Sequence, residues 1–221
     1  MLIALDPGHG GSDPGAVGNG LLEKDITLKL ALKTGTILRT QYDCDVMYTR
    51  NRDVSLTLSE RASIANRSKA DLFCSFHINS FNATAKGFET FRYSKTTKEK
   101  SIELQKNVHE EVMKALKPYG IMDRGMKAEN FAVVRETIMP ALLTETLFIS
   151  NPNEAKLLKS DAFLDQVAAA HAAGIAKVAG LKSAEKKHYL MIGSFSSKAE
   201  AEKNAKMLKE EYGWVVHVKE G

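Results

Sequence analysis

Short unbroken apolar runs alternate along this chain with longer stretches in which apolar residues recur every three or four positions. Leu2-Ile3-Ala4-Leu5 opens the chain as a short buried strand. It breaks at Asp6-Pro7-Gly8-His9-Gly10-Gly11 into a Pro/Gly-rich turn with a histidine at its tip. After Gly15, Gly18 and Gly20, a helix follows Leu22-Glu23-Lys24-Asp25, with Ile26, Leu30, Thr34 and Ile37/Leu38 at helical spacing. Cys44 to Arg50 reads as a second strand, and Leu56 to about Arg67 as a second helix with Leu58, Ala62 and Ala65 on one side. Asp71 to Ile78 is apolar almost throughout, as expected of a central strand covered on both faces. Residues 87–93 give another strand, and Ile102 to about Leu116 a long amphipathic helix ended by Lys117-Pro118-Tyr119-Gly120. Phe131 to Val134 and Ala141 to Glu145 read as two further strands. Asn151-Pro152-Asn153-Glu154 has the form of a helix N-cap with proline at the first position and glutamate at the third. An Ala-rich helix from about Ala162 to Val178 closes at Gly180. Strands alternating with helices predict an α/β fold, a central and mostly parallel sheet flanked by helices on both faces.

The pattern changes after Leu181. Residues 182–187 are a short polar linker, and residues 188–221 read as a small βαβ unit. Tyr189 to Phe195 alternates as a strand, and Ser197-Lys198-Ala199-Glu200 is a capping box. The helix it opens carries Ala201, Ala205, Leu208 and Tyr212, and Trp214 to Val218 form a second strand. A chain below about 40 residues seldom buries enough surface to fold alone. Tyr189, Met191, Phe195, Trp214 and Val216 are too apolar to be left in water, so a partner surface is expected for this unit.

Composition narrows the function classes. The 31 basic and 27 acidic side chains leave a net charge of +4, too small an excess to argue for nucleic acid. No apolar stretch approaches the roughly 20 residues of a membrane span. The N-terminus has no charged region followed by an apolar core, so no signal peptide is expected; action outside the cytoplasm then requires release by lysis, a pore or another route. Cys44 and Cys74 each sit in an expected buried strand and are read as small core hydrophobes. No CxxC spacing supports a thiolate zinc site. Cys74 lies three residues before His77, which puts the two on opposite faces of a strand.

His9, His77 and Glu145 each stand at or just beyond the carboxyl end of an expected strand, where open α/β sheets bind ligands. Two neutral imidazoles and a carboxylate are the ligand types of a catalytic zinc site with an open position for water. Glu23, at a helix start where the dipole favours a carboxylate, is the other available acid. One of Glu23 and Glu145 can ligate while the other acts as base, and spacing does not say which. His109 and His171 fall on helices remote from these motifs and are expected at the surface. HExxH is absent, which excludes an ordinary zincin protease.

The segments DPGHGGSDPGAVGNGLLEKD, TLSERASIAN, ADLFCSFHINS and MPALLTETLFISNPNE resemble the zinc-dependent N-acetylmuramoyl-L-alanine amidases of the amidase-3 type, in order from Leu2 to about Leu181. That resemblance implies one Zn2+ per chain held by His9, Glu23 and His77, with Glu145 as catalytic base. The implied reaction cleaves the amide between the lactyl group of N-acetylmuramic acid and L-alanine of the peptidoglycan stem peptide. Glu145 would take a proton from water and pass it to the leaving nitrogen. Asn79 and Ser80, two and three residues after His77, are candidates to line the cleft or orient the ligands. Arg124-Gly125-Met126-Lys127 resembles the segment bordering the substrate groove, making Arg124 a candidate substrate contact. Arg61, in TLSER, is as well explained by a structural salt bridge. Residues 1–181 are then the zinc amidase catalytic domain. Residues 188–221 resemble the first half of a SPOR-type peptidoglycan-binding repeat, whose missing half would come from further residues or from a second chain in a homodimer. A phage endolysin and a host autolysin are both compatible with these motifs. The competing functions are a zinc peptidase cutting within the stem peptide and a non-catalytic wall-binding protein; an intact Glu145 argues against the latter.

Overall fold

The computed structural model describes residues 1–42, 44–183 and 197–212. Contacts between Cα positions divide the chain into two units, Met1–Glu185 and Lys186–Gly221. In chain order the first unit runs β1 (Leu2–Pro7), β2 (Val17–Gly18), β3 (Leu21–Leu22), α1 (Glu23–Gln41), β4 (Asp45–Tyr48), α2 (Leu58–Arg67) and β5 (Leu72–Asn79). It continues with β6 (Phe88–Tyr93), α3 (Glu99–Leu116), β7 (Asp123–Glu129), α4 (Ala132–Arg135), β8 (Ala141–Phe148), α5 (Pro152–Leu158) and α6 (Asp161–Ala179).

Six strands form one sheet in the order β4-β1-β5-β8-β6-β7. The first four are parallel, β6 runs antiparallel to β8, and β7 runs parallel to β6. This is the mostly parallel sheet with helices on both faces that the alternation of elements predicts. Period-2 geometry sorts β5 cleanly. Leu72, Cys74, Phe76 and Ile78 pack with apolar residues of α1, α3 and α6, whereas Phe73 faces Ala65 of α2 and Val133 and Val134 of α4. His77 shares the second face, which has the thinner cover.

Two elements differ from expectation. Phe131 to Val134 is not a strand: Phe131 is the N-cap of α4, and only Val133 and Val134 of the run are buried. A four-residue apolar run fits a buried strand or one helical turn equally well, and packing on the sheet decides. Conversely, Asp123-Arg124-Gly125-Met126-Lys127-Ala128-Glu129 forms the edge strand β7. It has no fully buried residue and therefore no alternation to read. On α2, Leu58 is exposed and Arg61 turns inward with Ala62 and Ala65.

The two helix histidines are buried, contrary to the surface expectation. His171 on α6 is fully buried, its Nδ1 2.8 Å from the Val167 carbonyl and its Nε2 3.2 Å from the Thr144 hydroxyl. Burial pulls its pKa down to about 4, only partly opposed by the Val167 bond, so it is neutral near pH 7. His109 on α3 lies between Thr90 and Asp123, with its nitrogens 3.1 and 2.9 Å from their side-chain oxygens. Both histidines tie helices to the sheet by side-chain hydrogen bonds that helical periodicity does not reveal. Cys44 and Cys74 are buried as expected, and burial pushes the Cys74 thiol far up, removing it as a nucleophile.

In the second unit, α7 (Lys198–Tyr212) is described, with the Ser197 hydroxyl accepting from the Glu200 amide at 3.3 Å. The expected strands Tyr189–Phe195 and Trp214–Val218 lie outside the described residues, and with them the half-repeat and the dimer through residues 188–221.

Candidate metal centre and active site

The turn after β1 carries His9 in the left-handed region, at φ 59°. This is an uncommon conformation for a residue with a side chain, and surrounding bonds must hold it. Two arginines do so. Arg61 Nη1 donates to the Pro7 carbonyl at 2.6 Å and its Nη2 to the His9 carbonyl at 2.6 Å. Arg50 Nε donates to Pro7 O at 3.0 Å and Nη2 to Gly8 O at 2.8 Å. Beneath them Asp6 is wholly buried and accepts from Arg61 at 2.9 Å, Ser75 at 2.7 Å and Thr49 at 2.5 Å. The structural salt bridge expected of Arg61 is therefore present, and it anchors the turn that presents His9.

Glu23 is the first residue of α1, and its carboxylate turns inward rather than capping its own helix. Oε2 accepts from the Ala16 amide at 2.8 Å and Oε1 from the Ile78 amide at 2.9 Å. Oε1 also lies 3.0 Å from His77 Nδ1 and 3.2 Å from His9 Nε2. Such closeness requires bare backbone at two positions. A Cβ on Gly15, where φ is 65°, would come within 2.6 Å of Glu23 Oε2, and one on Gly8 within 2.4 Å of His77 Cε1.

His9, Glu23 and His77 each offer a ligand atom, and the three atoms lie within 4.8 Å of one another. Two ligands about 2.0–2.1 Å from a tetrahedral zinc stand roughly 3.3 Å apart, close to the two imidazole-to-Glu23 separations here. Donor type and spacing therefore fit a zinc ion. Asp13 Oδ2 sits 2.8 Å from His9 Nδ1, leaving Nε2 to face Glu23. This is the orienting carboxylate typical of metal-binding histidines. Burial disfavours charge on both Glu23 and His9, but their mutual bonds outweigh it. Hydrogen bonds from His77 and His9 hold the Glu23 carboxyl far below its usual range. Glu23 and Asp13 raise His9.

Strand register adds a row of polar groups beside this cluster. His77 on β5 is level with Glu145 on β8, and Glu145 is level with Glu89 on β6. Glu145 Oε2 is buried with no hydrogen-bond partner among the described residues. Burial first, then the negative charges of Glu23 and Glu89, raise its pKa well above the carboxylate range. Glu89 is 3% exposed and meets Asn79 Nδ2 at 2.5 Å, Arg124 Nε at 3.2 Å and the Lys127 ammonium. The Arg124 guanidinium also lies over the Phe148 ring, 4.8 Å from its centroid.

His9, Glu23, His77 and Glu145, separated by up to 136 positions in the chain, thus converge at one sheet edge. Asn79 and Arg124 reach the same row through Glu89. Ser80 stands on the exposed loop after β5 and gives its backbone amide to the Asn79 side chain. Glu89, Asp13 and Arg50 are additions. A lone acid inside Phe88-Glu89-Thr90-Phe91 was the available sign for Glu89, whereas Asp13 and Arg50 had no periodic signal.

A mostly parallel α/β sheet with a His-Glu-His cluster whose donors fit a metal ion, and a desolvated glutamate beside it at the carboxyl edge, defines the class of protein. Within that class the chain belongs to the amidase-3 family of N-acetylmuramoyl-L-alanine amidases, whose family model matches residues 3–177. It is 52% identical over 182 residues to an endolysin of Bacillus phage SPP1, covering 82% of this chain and 67% of that protein. It is 41% identical over 205 residues to the sporulation-specific N-acetylmuramoyl-L-alanine amidase of Bacillus subtilis, covering 91% and 78%. The fold superposes with a TM-score of 0.76 and 35% identity on the catalytic domain of CwlV, an N-acetylmuramoyl-L-alanine amidase from Bacillus (Paenibacillus) polymyxa var. colistinus. That match covers 82% of this chain and 99% of the other.

Proposed function

We propose that this protein is a zinc-dependent peptidoglycan hydrolase that cleaves the amide between N-acetylmuramic acid and L-alanine of the stem peptide. The observation that carries the reading is the juxtaposition of the His9-Glu23-His77 cluster with Glu145, level with His77 on the neighbouring strand. His9 Nε2, His77 Nδ1 and Glu23 Oε1 would hold one zinc ion. Zinc in such a site supplies Lewis acidity, lowering the pKa of water toward about 7 and polarising a carbonyl. Glu145 takes a proton from the attacking water and delivers it to the leaving alanine nitrogen. Asp13 keeps the His9 ring in its orientation, and the Asp6–Arg61–Arg50 network keeps the turn in place. Arg124 borders the cleft and is the candidate contact for the stem peptide. Asn79 and Ser80 shape the loop beside it.

Mass spectrometry of digested cell wall tests the bond. Free muramic lactyl carboxylates with new alanine amino termini are expected, whereas stem peptides cut internally would make the protein a peptidase.

On this reading residues 1–181 are the catalytic domain, residues 182–187 a linker and residues 188–221 a SPOR-like wall-binding unit completed by further residues or by a second copy of the chain. The apolar residues of that unit support it. Removing everything after Leu181 should spare cleavage of soluble muropeptides, weaken binding to intact wall and abolish dimers in light scattering. A monomeric 221-residue chain at tens of micromolar would remove the dimer.

A further inference from the structure

The row of polar groups that starts at the metal cluster does not end at Glu145. His77, Glu145 and Glu89 are level on β5, β8 and β6, and level positions on neighbouring strands share a face of the sheet. Neighbouring strands are about 4.8 Å apart, so Glu89 lies about 10 Å across the sheet from His77. There the row meets two cations. Arg124 and Lys127, both on the edge strand β7, reach the same Glu89 oxygen, Oε2, while Asn79 donates to Oε1. A bulge brings them together. Phe88 pairs with Asp123 and Thr90 with Met126, so Arg124 and Gly125 both stand opposite Glu89. Gly125 takes φ 85°, which favours glycine, and a Cβ there would meet nothing within 4 Å. The space beside the bulge is open.

Pairing with Glu89 does not satisfy these cations. The acid is buried, whereas the side chains of Arg124 and Lys127 are 31% and 40% exposed. Two positive charges share one carboxylate, which neutralises only one of them. Among the described residues the Arg124 guanidinium donates a single hydrogen bond, 3.4 Å long, to the Lys86 carbonyl; its Nε has none. Most of its five donors are therefore left for another acceptor. Asp123 and Glu154 are engaged elsewhere, the first by His109 and the Gly125 amide, the second by the Gly87 and Phe148 amides. Both cations are also held in position by aromatic faces, Arg124 over Phe148 at 4.8 Å and Lys127 over Phe91 at 5.7 Å.

From this arrangement we infer that Arg124 and Lys127 form a carboxylate subsite that reads the stem peptide two or three residues beyond the scissile amide. The inference rests on the function proposed above. An extended peptide advances about 3.3–3.6 Å per residue, so the distance of about 10 Å corresponds to about the third residue. The planar fork of arginine suits a carboxylate, and lysine adds a point charge. Glu89 is then a positioning residue that keeps both cations over the row.

Steady-state kinetics of the zinc-loaded, full-length chain on soluble muramoyl peptides tests the subsite. The substrates differ only in whether the side carboxylate of the second or of the third residue is free or a carboxamide. One of the two carboxamides should lower kcat/KM about tenfold, mainly through KM, because a charge-assisted hydrogen bond is lost. The position that matters identifies the residue read. Lys127→Gln should bring that ratio toward one and Lys127→Arg should keep it, a pattern that a merely structural lysine would not produce. The released peptides give a second reading without any variant: the carboxylate form should inhibit the parent more strongly than the carboxamide. If Lys127→Gln loses its fold by circular dichroism, this inhibition decides, and equal inhibition overturns the subsite. Equal kcat/KM for all substrates in the parent, or an unchanged ratio in folded Lys127→Gln, would also overturn it while leaving amide cleavage standing. No cleavage of the muramoyl–alanine bond in any substrate would instead overturn the proposed function, and the subsite with it.

Discussion

On the β1–β5 side of the cleft, Glu23 is held by two backbone amides and two imidazoles. On the β8–β6 side, one strand away from His77, Glu145 keeps a buried oxygen with no partner among the described residues. Both carboxyls are largely withdrawn from water, yet their proton affinities move in opposite directions. The difference teaches which role each can fill. A carboxylate whose charge is fixed by hydrogen bonds is prepared to meet a cation. A carboxyl whose charge is opposed by burial and by Glu23 and Glu89 is prepared to accept and release a proton.

The largest expected effect comes from removing a member of the bonded side. His9→Ala or His77→Ala should lose zinc and activity together, because three protein ligands are the usual complement of a catalytic zinc site. Stoichiometric zinc in either variant, measured by metal analysis, would break the comparison at its first member.

Glu145→Gln should lower turnover by roughly 10²-fold or more, the scale of a positioned general base. Its rate would be followed on soluble muropeptide, and a rate within a few-fold of the parent would show that Glu145 moves no proton.

A smaller effect is expected one layer out. Asp13→Asn leaves all proposed ligands in place but removes the carboxylate that orients His9. Metal affinity should fall about 10- to 100-fold in competition with a chelator. An unchanged affinity would assign Asp13 to the turn alone.

The smallest effect concerns stability, and the two acids should differ in sign. Metal-free protein gains from ionised Glu23 above the usual glutamate pKa, and that gain is lost as pH falls below it. For Glu145 the folded pKa is raised, so stability is lost as pH rises from the ordinary value toward the folded one. At pH 7 the metal-free Glu23→Gln variant should be less stable than the parent and Glu145→Gln more stable. Below about pH 4 the Glu145→Gln difference should vanish. Thermal melts across pH decide, and shifts of the same sign would erase the contrast.

Much of this was legible in the residue pattern, for reasons that differ by element. β1 and β5 announced themselves because both of their faces are covered, and their polar ends put His9 and His77 at one edge. α6 was plain from its alanines and its glycine stop, and Asn151 and Glu154 marked the start of α5. β7 was not legible, because an edge strand with half-exposed residues carries no period. α4 was misread because its apolar run is shorter than the patterns that separate helix from strand. His109 and His171 looked exposed because burial of a polar residue depends on partners contributed by other strands, Thr90, Asp123 and Thr144 among them. For the same reason Glu89 and Asp13 emerged only once register and the turn were in place. The assignment of ligand and base between Glu23 and Glu145 came from resemblance, not from spacing.

Zinc content of Glu23→Gln and Glu145→Gln, purified side by side and checked for folding by circular dichroism, tests that assignment most directly. Near-stoichiometric zinc in Glu145→Gln and little or none in Glu23→Gln is the expected result. Zinc retained by Glu23→Gln and lost from Glu145→Gln would exchange the two roles and contradict it.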